Sequence, residues 1–281
     1  MATRPAAVAG TWYPGGARAL ASAVEQYLSG AHDLAGELVA LIAPHAGLMY
    51  SGPVAAHAYA LLRDRRFDTV VIVGPSHFVG FSGVAVYPRG GFETPFGVAA
   101  IDEDVAQALL RVAPIVREHP AAHGREHSVE MQLPFVKHLL PDARIVPLVM
   151  GYQTAETSHA LGDALGDVLD ARHALIVASS DLSHYQPAHT AAALDAVVTE
   201  CVARFDAEAL QRALDARPDH ACGGGPMVAT LRAAKWLGAK NAVVLDYADS
   251  GDVSGDKSAV VGYMAAALGT FASADPRGRA T

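Results

Sequence analysis

Two short apolar runs, each followed by a turn that contains a histidine, constrain the fold of this chain most strongly. The runs are LVALIA (38–43) and TVVIVG (69–74), and they lead into Pro44-His45-Ala46-Gly47 and Pro75-Ser76-His77. Runs so rich in Val, Ile and Leu are typical of strands buried on both faces. Residues 54–64 between them read as an amphipathic helix. A strand, helix, strand crossover brings both turns to the carboxyl edge of a parallel sheet, where open α/β sheets bind ligands. We therefore expect His45 and His77 to be neighbours in space.

The alternation of strand-like and helix-like segments continues along the chain without a linker-like break. Further strands are expected at 82–88, 143–151, 173–180, 241–248 and 258–268, and a hairpin or lid-like excursion at 90–101. From Thr270 onward the sequence turns to Ala, Ser, Pro and Arg. The pattern predicts one α/β domain over residues 1–269, with a central, largely parallel sheet flanked by helices, and a flexible C-terminal tail over 270–281.

Composition excludes several classes of function. The 281 residues are 51% hydrophobic and 18% charged, which favours a folded chain with a substantial core. The net charge of −8 and the absence of a basic run argue against a nucleic-acid partner. There is no apolar stretch long enough for a membrane span or a signal segment, and two cysteines give no disulfide framework. We expect a cytoplasmic protein that binds neither nucleic acid nor membranes.

Residues capable of chemistry lie where the predicted strands end. The first two strands lead to His45 and His77, the strand at 173–180 leads to Asp181 and His184, and the strand at 241–248 leads to an aspartate-rich loop that contains Asp252. A polar loop before residue 128 adds Glu126 and His127. Two imidazoles with one carboxylate are the ligand set of non-haem iron(II) sites, and they would equally hold a catalytic zinc ion. Spare histidines near such a centre can move protons close to neutral pH.

Two weaker signals stay open at this point. Cys222-Gly223-Gly224-Gly225-Pro226 precedes a predicted helix, and it is either an anion cradle of free backbone N–H groups or a tight turn. Cys222 there has either a lowered pKa or a merely buried side chain. A serine hydrolase is disfavoured, since the chain has no Gly-x-Ser-x-Gly elbow.

A set of ordered motifs resembles the Memo family, whose bacterial and archaeal members are named AmmeMemoRadiSam system protein B. The resemblance runs from Ala9 to about Leu268 and rests on AGTWYP (9–14), APHAGLMYSG (43–52), GPSHF (74–78), EHSVEMQLPF (126–135), SSDLSHY (179–185), CGGGP (222–226) and SGDVSGDKSAVVGY (250–263). It implies a fold similar to the class III extradiol (LigB-like) dioxygenases. It also implies partnership with AMMECR-type and radical SAM proteins, and in animal members phosphopeptide binding.

The resemblance implies roles for particular residues. His45 and His77 match the family's two metal-binding histidines, His127 and Asp181 match pocket residues, and His184 stands at the position of the dioxygenases' acid/base histidine. Animal members place a cysteine ligand in the loop after the strand that ends at Ala248, where a gapless reading puts Val253. Asp252 is then the expected third ligand, with Asp249 and Asp256 as rivals, and a carboxylate would favour iron(II) over copper(I).

The leading hypothesis is a metal-binding protein whose site is His45, His77 and Asp252, most consistent with Fe(II), with Cu or Zn as alternatives. Its chemistry would be dioxygenase-like oxidation of a small substrate, with His184, His127 and Asp181 as the catalytic residues. One alternative is a binding module that recognises a peptide or partner protein in the same pocket without turnover. A zinc-dependent hydrolase on the same ligands is the other.

Overall fold

Strands and helices alternate along the chain as predicted, in a computed structural model that describes residues 3–31 and 33–272. Within those ranges the strands are β1 (Thr3–Arg4), β2 (Gly36–Ala43), β3 (Thr69–Pro75), β4 (Val84–Val86), β5 (Gly91–Thr94), β6 (Gly97–Ala100), β7 (Val116–Glu118), β8 (Arg144–Met150), β9 (Ala174–Ser179), β10 (His184–Gln186), β11 (Asn241–Asp249) and β12 (Val260–Phe271). The helices are α1 (Ala17–Leu28), α2 (Leu48–Tyr59), α3 (Glu103–Val112), α4 (Pro120–His123), α5 (Leu133–Leu139), α6 (Ala155–Leu169), α7 (Ala188–Ala203), α8 (Ala207–Ala216), α9 (Gly224–Trp236) and α10 (Gly251–Ser254). Short 3₁₀ turns cover Ala60–Leu62, Glu130–Gln132 and Pro218–His220.

Parallel strands form the centre of the main sheet, in the order β2, β9, β3, β8. On one side β12 runs antiparallel to β2 and pairs in turn with β10 and β11, and on the other side β4 runs antiparallel to β8 and pairs with β7. Because the central strands are parallel, the turns after β2, β3 and β9 all lie at one edge of the sheet. The expected α/β class with a largely parallel sheet is therefore confirmed.

Helices flank this sheet and bury its strands. Every residue of β3 is buried, in agreement with its unbroken apolar sequence. Helix α2 packs against β2, β11 and β12, and α9 packs against β2, β3 and β9. This packing holds the three site-bearing strands in a fixed relation to one another.

Several local predictions are met, and a few boundaries differ. The hairpin expected at 90–101 is present as β5 and β6, and Asp102 caps α3 by accepting a hydrogen bond from the Val105 N–H. After Ser128 a 3₁₀ turn comes first, and α5 then starts with Pro134 in its first turn, where the missing N–H is tolerated. Strand β12 continues to Phe271, because its last residues pair with β2. The predicted tail therefore cannot begin at Thr270, and its remainder from 273 to 281 lies outside the described residues.

Candidate metal centre

Three histidine rings converge at the carboxyl edge of the sheet. The ring centroids of His45 and His77 are 5.2 Å apart, and that of His127 lies 5.6 Å from His45 and 4.5 Å from His77. The expectation that His45 and His77 are neighbours is confirmed. Strand β9 lies between β2 and β3, so the two histidines face each other across its end.

Asp181 fixes the turn that carries His45. Its Oδ1 accepts hydrogen bonds from the backbone N–H groups of His45 (2.7 Å) and Ala46 (3.2 Å). Burial raises the pKa of this carboxyl group. The structure therefore shows Asp181, predicted to be catalytic, holding the backbone of the turn that carries His45.

The His45 imidazole is itself suited to ligate a metal. It is buried, and burial together with the charges of His77, His127 and His184 lowers its pKa well below the usual value. A lowered pKa keeps the ring neutral at pH 7, and the neutral ring has a nitrogen lone pair to offer a metal.

Glu126 orients His77. Its Oε1 lies 2.9 Å from His77 Nδ1 and its Oε2 accepts a hydrogen bond from the His77 backbone N–H at 2.6 Å. Burial alone would raise the pKa of Glu126, but the hydrogen bonds from His77 and from the Ser128 backbone lower it to about 2. An ionised carboxylate can only accept, so Nδ1 of His77 carries a proton, and in the neutral ring Nε2 keeps its lone pair.

Cys222 completes a group of metal-capable atoms with the two histidines. Its Sγ lies 3.2 Å from His45 Nε2, and one ligand atom each from His45, His77 and Cys222 lie within 4.8 Å of one another. Burial and the negative charge of Asp181 raise the pKa of the thiol, so the metal-free site holds an S–H group. Two imidazoles and one sulfur suit iron, copper or zinc, and the residues present therefore fit such an ion.

The glycines after Cys222 allow it to reach the sheet edge. A Cβ atom at Gly223 would stand 2.5 Å from the Ser179 carbonyl oxygen, so only glycine lets the chain pass this close to the end of β9. The Gly223 N–H donates to Ser180 Oγ and the Gly225 N–H donates to Gln153 Oε1. Because these two N–H groups already have partners within the protein, they are not available to an anion, which disfavours the anion-cradle interpretation of this turn. The interpretation of Cys222 as a thiol of lowered pKa is wrong, because burial has the opposite effect.

A second metal-capable group, formed by His77, Glu126 and His127, is less suited to an ion. Oε1 of Glu126 already accepts from the backbone N–H groups of His127 and Ser128 in addition to His77 Nδ1. Burial and the charge of His77 lower the pKa of His127 to about 4. His127 therefore lines the site as a neutral ring, with the Trp12 ring centroid 4.4 Å away.

The aspartates expected to supply the third ligand lie elsewhere. Asp252 Oδ1 accepts a hydrogen bond from Lys257 Nζ at 2.5 Å and its Oδ2 accepts one from the Asp249 N–H, while Asp249 Oδ1 also binds Lys257. Asp256 is bonded to Ser258, and Val253 is exposed. Among the described residues, neither metal-capable group contains any of these aspartates. The geometry favours Cys222 over Asp252, because Asp252 forms an ion pair at the surface.

His184 lies on β10 beside this centre. Its Nδ1 is 2.8 Å from the Leu182 carbonyl oxygen, which can only accept, so Nδ1 carries the proton and Nε2 is free to accept one. When it is protonated, His184 contributes to lowering the pKa of His45. The function of His184 in acid/base chemistry stays a prediction.

Glu130 ties the N-terminal segment to the site, a function that the sequence does not indicate. This carboxylate is fully buried and pairs with Arg4; it also accepts hydrogen bonds from the Ala7 N–H (2.8 Å), the Val8 N–H (3.0 Å) and the Tyr13 hydroxyl (2.8 Å). The same segment carries Trp12 against His127. The N-terminal segment therefore forms one wall of the site.

In the part of the chain that the structure describes, there is no helix long and apolar enough to span a membrane.

The fold and site together define an α/β protein with two histidines and a cysteine gathered at the carboxyl edge of its sheet. Comparison with known proteins gives the family. Residues 4–267 match the family model described as Memo-like protein, and the chain belongs to this family.

Relatives in archaea match over nearly their whole length. A MEMO1 family protein of Ignicoccus hospitalis is 40% identical, covering 94% of this chain and 98% of its own, and one of Methanosarcina mazei has the same identity and coverage. The crystal structure of an uncharacterised protein from Escherichia coli K12 superposes with a TM-score of 0.56 and 18% identity, over 81% of this chain and 99% of that one. This structural likeness shows a shared fold.

Proposed function

We propose that this Memo-family protein binds one transition-metal ion through His45, His77 and Cys222. The observation that carries the proposal is the gathering of their ligand atoms within 4.8 Å of one another at the sheet edge. The hydrogen bond from His77 Nδ1 to Glu126 leaves the outer nitrogen of that ring bare, as a metal ligand requires. Three protein ligands leave further coordination positions for a small molecule.

The sulfur ligand changes the choice of metal. The preference for iron(II) over copper(I) depended on a carboxylate as the third ligand, and a thiolate accepts softer ions equally well. Iron(II), copper and zinc all fit the two-histidine, one-cysteine set. When bound, such an ion would supply a Lewis-acid centre, and iron or copper would add redox chemistry.

The reaction supported best is dioxygenase-like oxidation of a small substrate. Here the residues of the chain have separate functions: Asp181 holds the backbone of the His45 turn, and His184 accepts a proton at Nε2. His127 and Trp12 form a neutral aromatic wall beside the centre. Oxygen uptake that disappears in His184→Gln while metal is retained would support this assignment. Zinc occupancy with turnover that needs no oxygen would favour the hydrolase instead.

Metal analysis tests the binding proposal directly. The wild-type protein, purified without chelators, is expected to hold close to one equivalent of iron, copper or zinc, and the His45→Ala/His77→Ala variant to lose it. His173→Ala/His189→Ala is the matched control, because both of these histidines are exposed. Equal metal in the site variant and the control would overturn the proposal.

A second function, recognition of a peptide or partner protein, is favoured by exposed aromatic residues that directly follow the site histidines. Phe78 is 49% exposed and Tyr185 is 77% exposed. Aromatic side chains of this kind are enriched where proteins bind each other. The AMMECR-type and radical SAM proteins that the family resemblance implies are the partners to test. Phe78→Ala/Tyr185→Ala should reduce capture of a purified partner with metal content unchanged, and unaltered capture would count against this function.

A further inference from the structure

A buried row of hydrogen bonds leads from the core to the metal-facing ring of His45. The Tyr59 hydroxyl lies 2.7 Å from Gln132 Oε1, Gln132 Nε2 lies 2.7 Å from Ser179 Oγ, and Ser179 Oγ lies 2.9 Å from His45 Nδ1. All four side chains are buried, none more than 1% exposed. In such surroundings each donor and acceptor needs a partner, so the direction of every bond can be worked out.

The orientation of the Gln132 amide is fixed first. Its Nε2 lies 3.0 Å from the Pro44 carbonyl oxygen, which can only accept a hydrogen bond. The NH₂ group must therefore face Pro44 and Ser179, and Oε1 must face Tyr59. Both hydrogens of the amide are then used, and Oε1 accepts from the Tyr59 hydroxyl.

The Ser179 hydroxyl has one hydrogen, and it donates that hydrogen to a group other than His45. Its Oγ lies 2.6 Å from the Ser128 carbonyl oxygen, a pure acceptor, and receives the Nε2 hydrogen of Gln132, a pure donor. The remaining lone pair faces His45 Nδ1. A lone pair requires a donor opposite it, so Nδ1 of His45 must carry the proton. Nε2 is then bare, and it is the atom that faces Cys222 Sγ.

We infer that Gln132 and Ser179 are positioning residues that hold His45 in the Nδ1–H tautomer and so present Nε2 as a ligand. The tautomer follows from the hydrogen bonds alone, whereas its use in binding a metal rests on the proposed function. His77 reaches the same tautomer by another means, since its Nδ1 faces the charged carboxylate of Glu126. The partner of the His45 ring is uncharged, unlike the Glu126 carboxylate that faces His77.

Nitrogen-15 NMR of the ring nitrogens in the metal-free protein tests the tautomer, with His45 assigned by its loss in His45→Gln. The wild type should show protonated Nδ1 and bare Nε2. In Ser179→Ala the Nδ1 proton loses its hydroxyl acceptor, so we expect the Nε2–H form to appear in part. Gln132→Met lets the Ser179 hydroxyl turn toward His45 and should shift the tautomer in the same direction to a smaller extent.

Metal affinity, measured by competition with a chromogenic chelator, gives the second readout. Ser179→Ala should weaken binding about 10- to 100-fold, the usual effect of removing a partner of a ligand histidine. Ser158→Ala is the matched control, since Ser158 is also fully buried and also donates to a backbone carbonyl oxygen. A protonated Nε2 in the wild type, or an unchanged tautomer in both variants, would overturn the inference. The predicted tautomer without any metal binding would leave it standing and remove the proposed function instead.

Discussion

The sulfur of Cys222 lies 3.2 Å from Nε2 of His45, although the two residues are 177 positions apart in the chain. This contact joins the turn after β2 to the start of α9 across the end of β9. It also makes a thiol, rather than the expected carboxylate, the candidate third ligand. In the proposed site the third ligand comes from a glycine-rich turn rather than from the aspartate loop.

The two candidates for the third ligand can be separated by substitution. Cys222→Ser should weaken metal binding by more than about 100-fold, because the thiolate is lost from the centre. Asp252→Asn should leave affinity unchanged, because Asp252 forms its ion pair with Lys257. Chelator competition on both variants measures the difference. Loss of binding in Asp252→Asn alone would restore the carboxylate hypothesis.

Metal binding should release a proton from the site. The pKa of the Cys222 thiol is raised by burial, so at neutral pH the free protein holds the proton and the metal complex does not. Affinity should then rise about tenfold per pH unit between pH 7 and 8.5, since one proton competes with the ion. Titration calorimetry in buffers of different ionisation enthalpy counts that proton. In Cys222→Ser the dependence should vanish, and a wild-type affinity independent of pH would contradict the assignment.

His123 should make the fold sensitive to acid. It is buried beside the rings of Tyr87 and Phe92, and burial with the charge of Arg4 lowers its pKa to about 3. In the unfolded chain His123 has its usual pKa of 6.5 and takes up a proton below that pH, whereas in the folded chain it stays neutral down to about pH 3. The free energy of unfolding therefore decreases as the pH falls from 6.5 to about 3.

The contribution of His123 amounts to about 2 kcal/mol between pH 7 and pH 5. Urea unfolding of His123→Phe at the two pH values should show a smaller loss of stability than the wild type by about that amount. The exposed His189 supplies the control variant, His189→Phe, which should lose as much as the wild type. An identical loss in all three proteins would show that His123 is not responsible.

The buried pair of Arg4 and Glu130 should be strongly coupled. Glu130→Gln removes the charge opposite Arg4, and breaking a buried pair in this way costs about 3–5 kcal/mol of unfolding free energy. The exposed Glu156→Gln serves as its control. Removing both partners, in Arg4→Met/Glu130→Gln, should cost less than the sum of the single changes. Additive effects in chemical denaturation would show that the two side chains do not interact.

The sequence predicts the half of the site that follows from strand order. His45 and His77 could be placed together because each directly follows a buried strand of a parallel sheet, and that geometry holds for any such strand. Asp181 and His184 were found by the same reasoning at the end of β9. Asp181 shows the limit of this reasoning. The position of a strand places its carboxylate at the sheet edge but does not show that the carboxylate accepts a hydrogen bond from the His45 backbone N–H.

Cys222 could not be placed in this way. It precedes a helix, and a helix start has no fixed position relative to a sheet until the packing is known. The glycines that follow Cys222 do indicate that this turn lies close to another backbone, because a run of residues without side chains permits such an approach. What they approach, the end of β9, depends on how α9 packs against the sheet. The pairing of Glu130 with Arg4 likewise depends on contacts between segments distant in sequence.

The anchoring of the N-terminal segment by Glu130 has a practical consequence for work on this protein. Residues from Arg4 to Tyr13 are bound to the loop that carries His127, and they position Trp12 at the mouth of the centre. Deleting them, or fusing a bulky affinity tag directly before them, would alter the candidate site even with His45, His77 and Cys222 in place. Metal content and ligand binding are therefore best measured on protein whose first residues are left native.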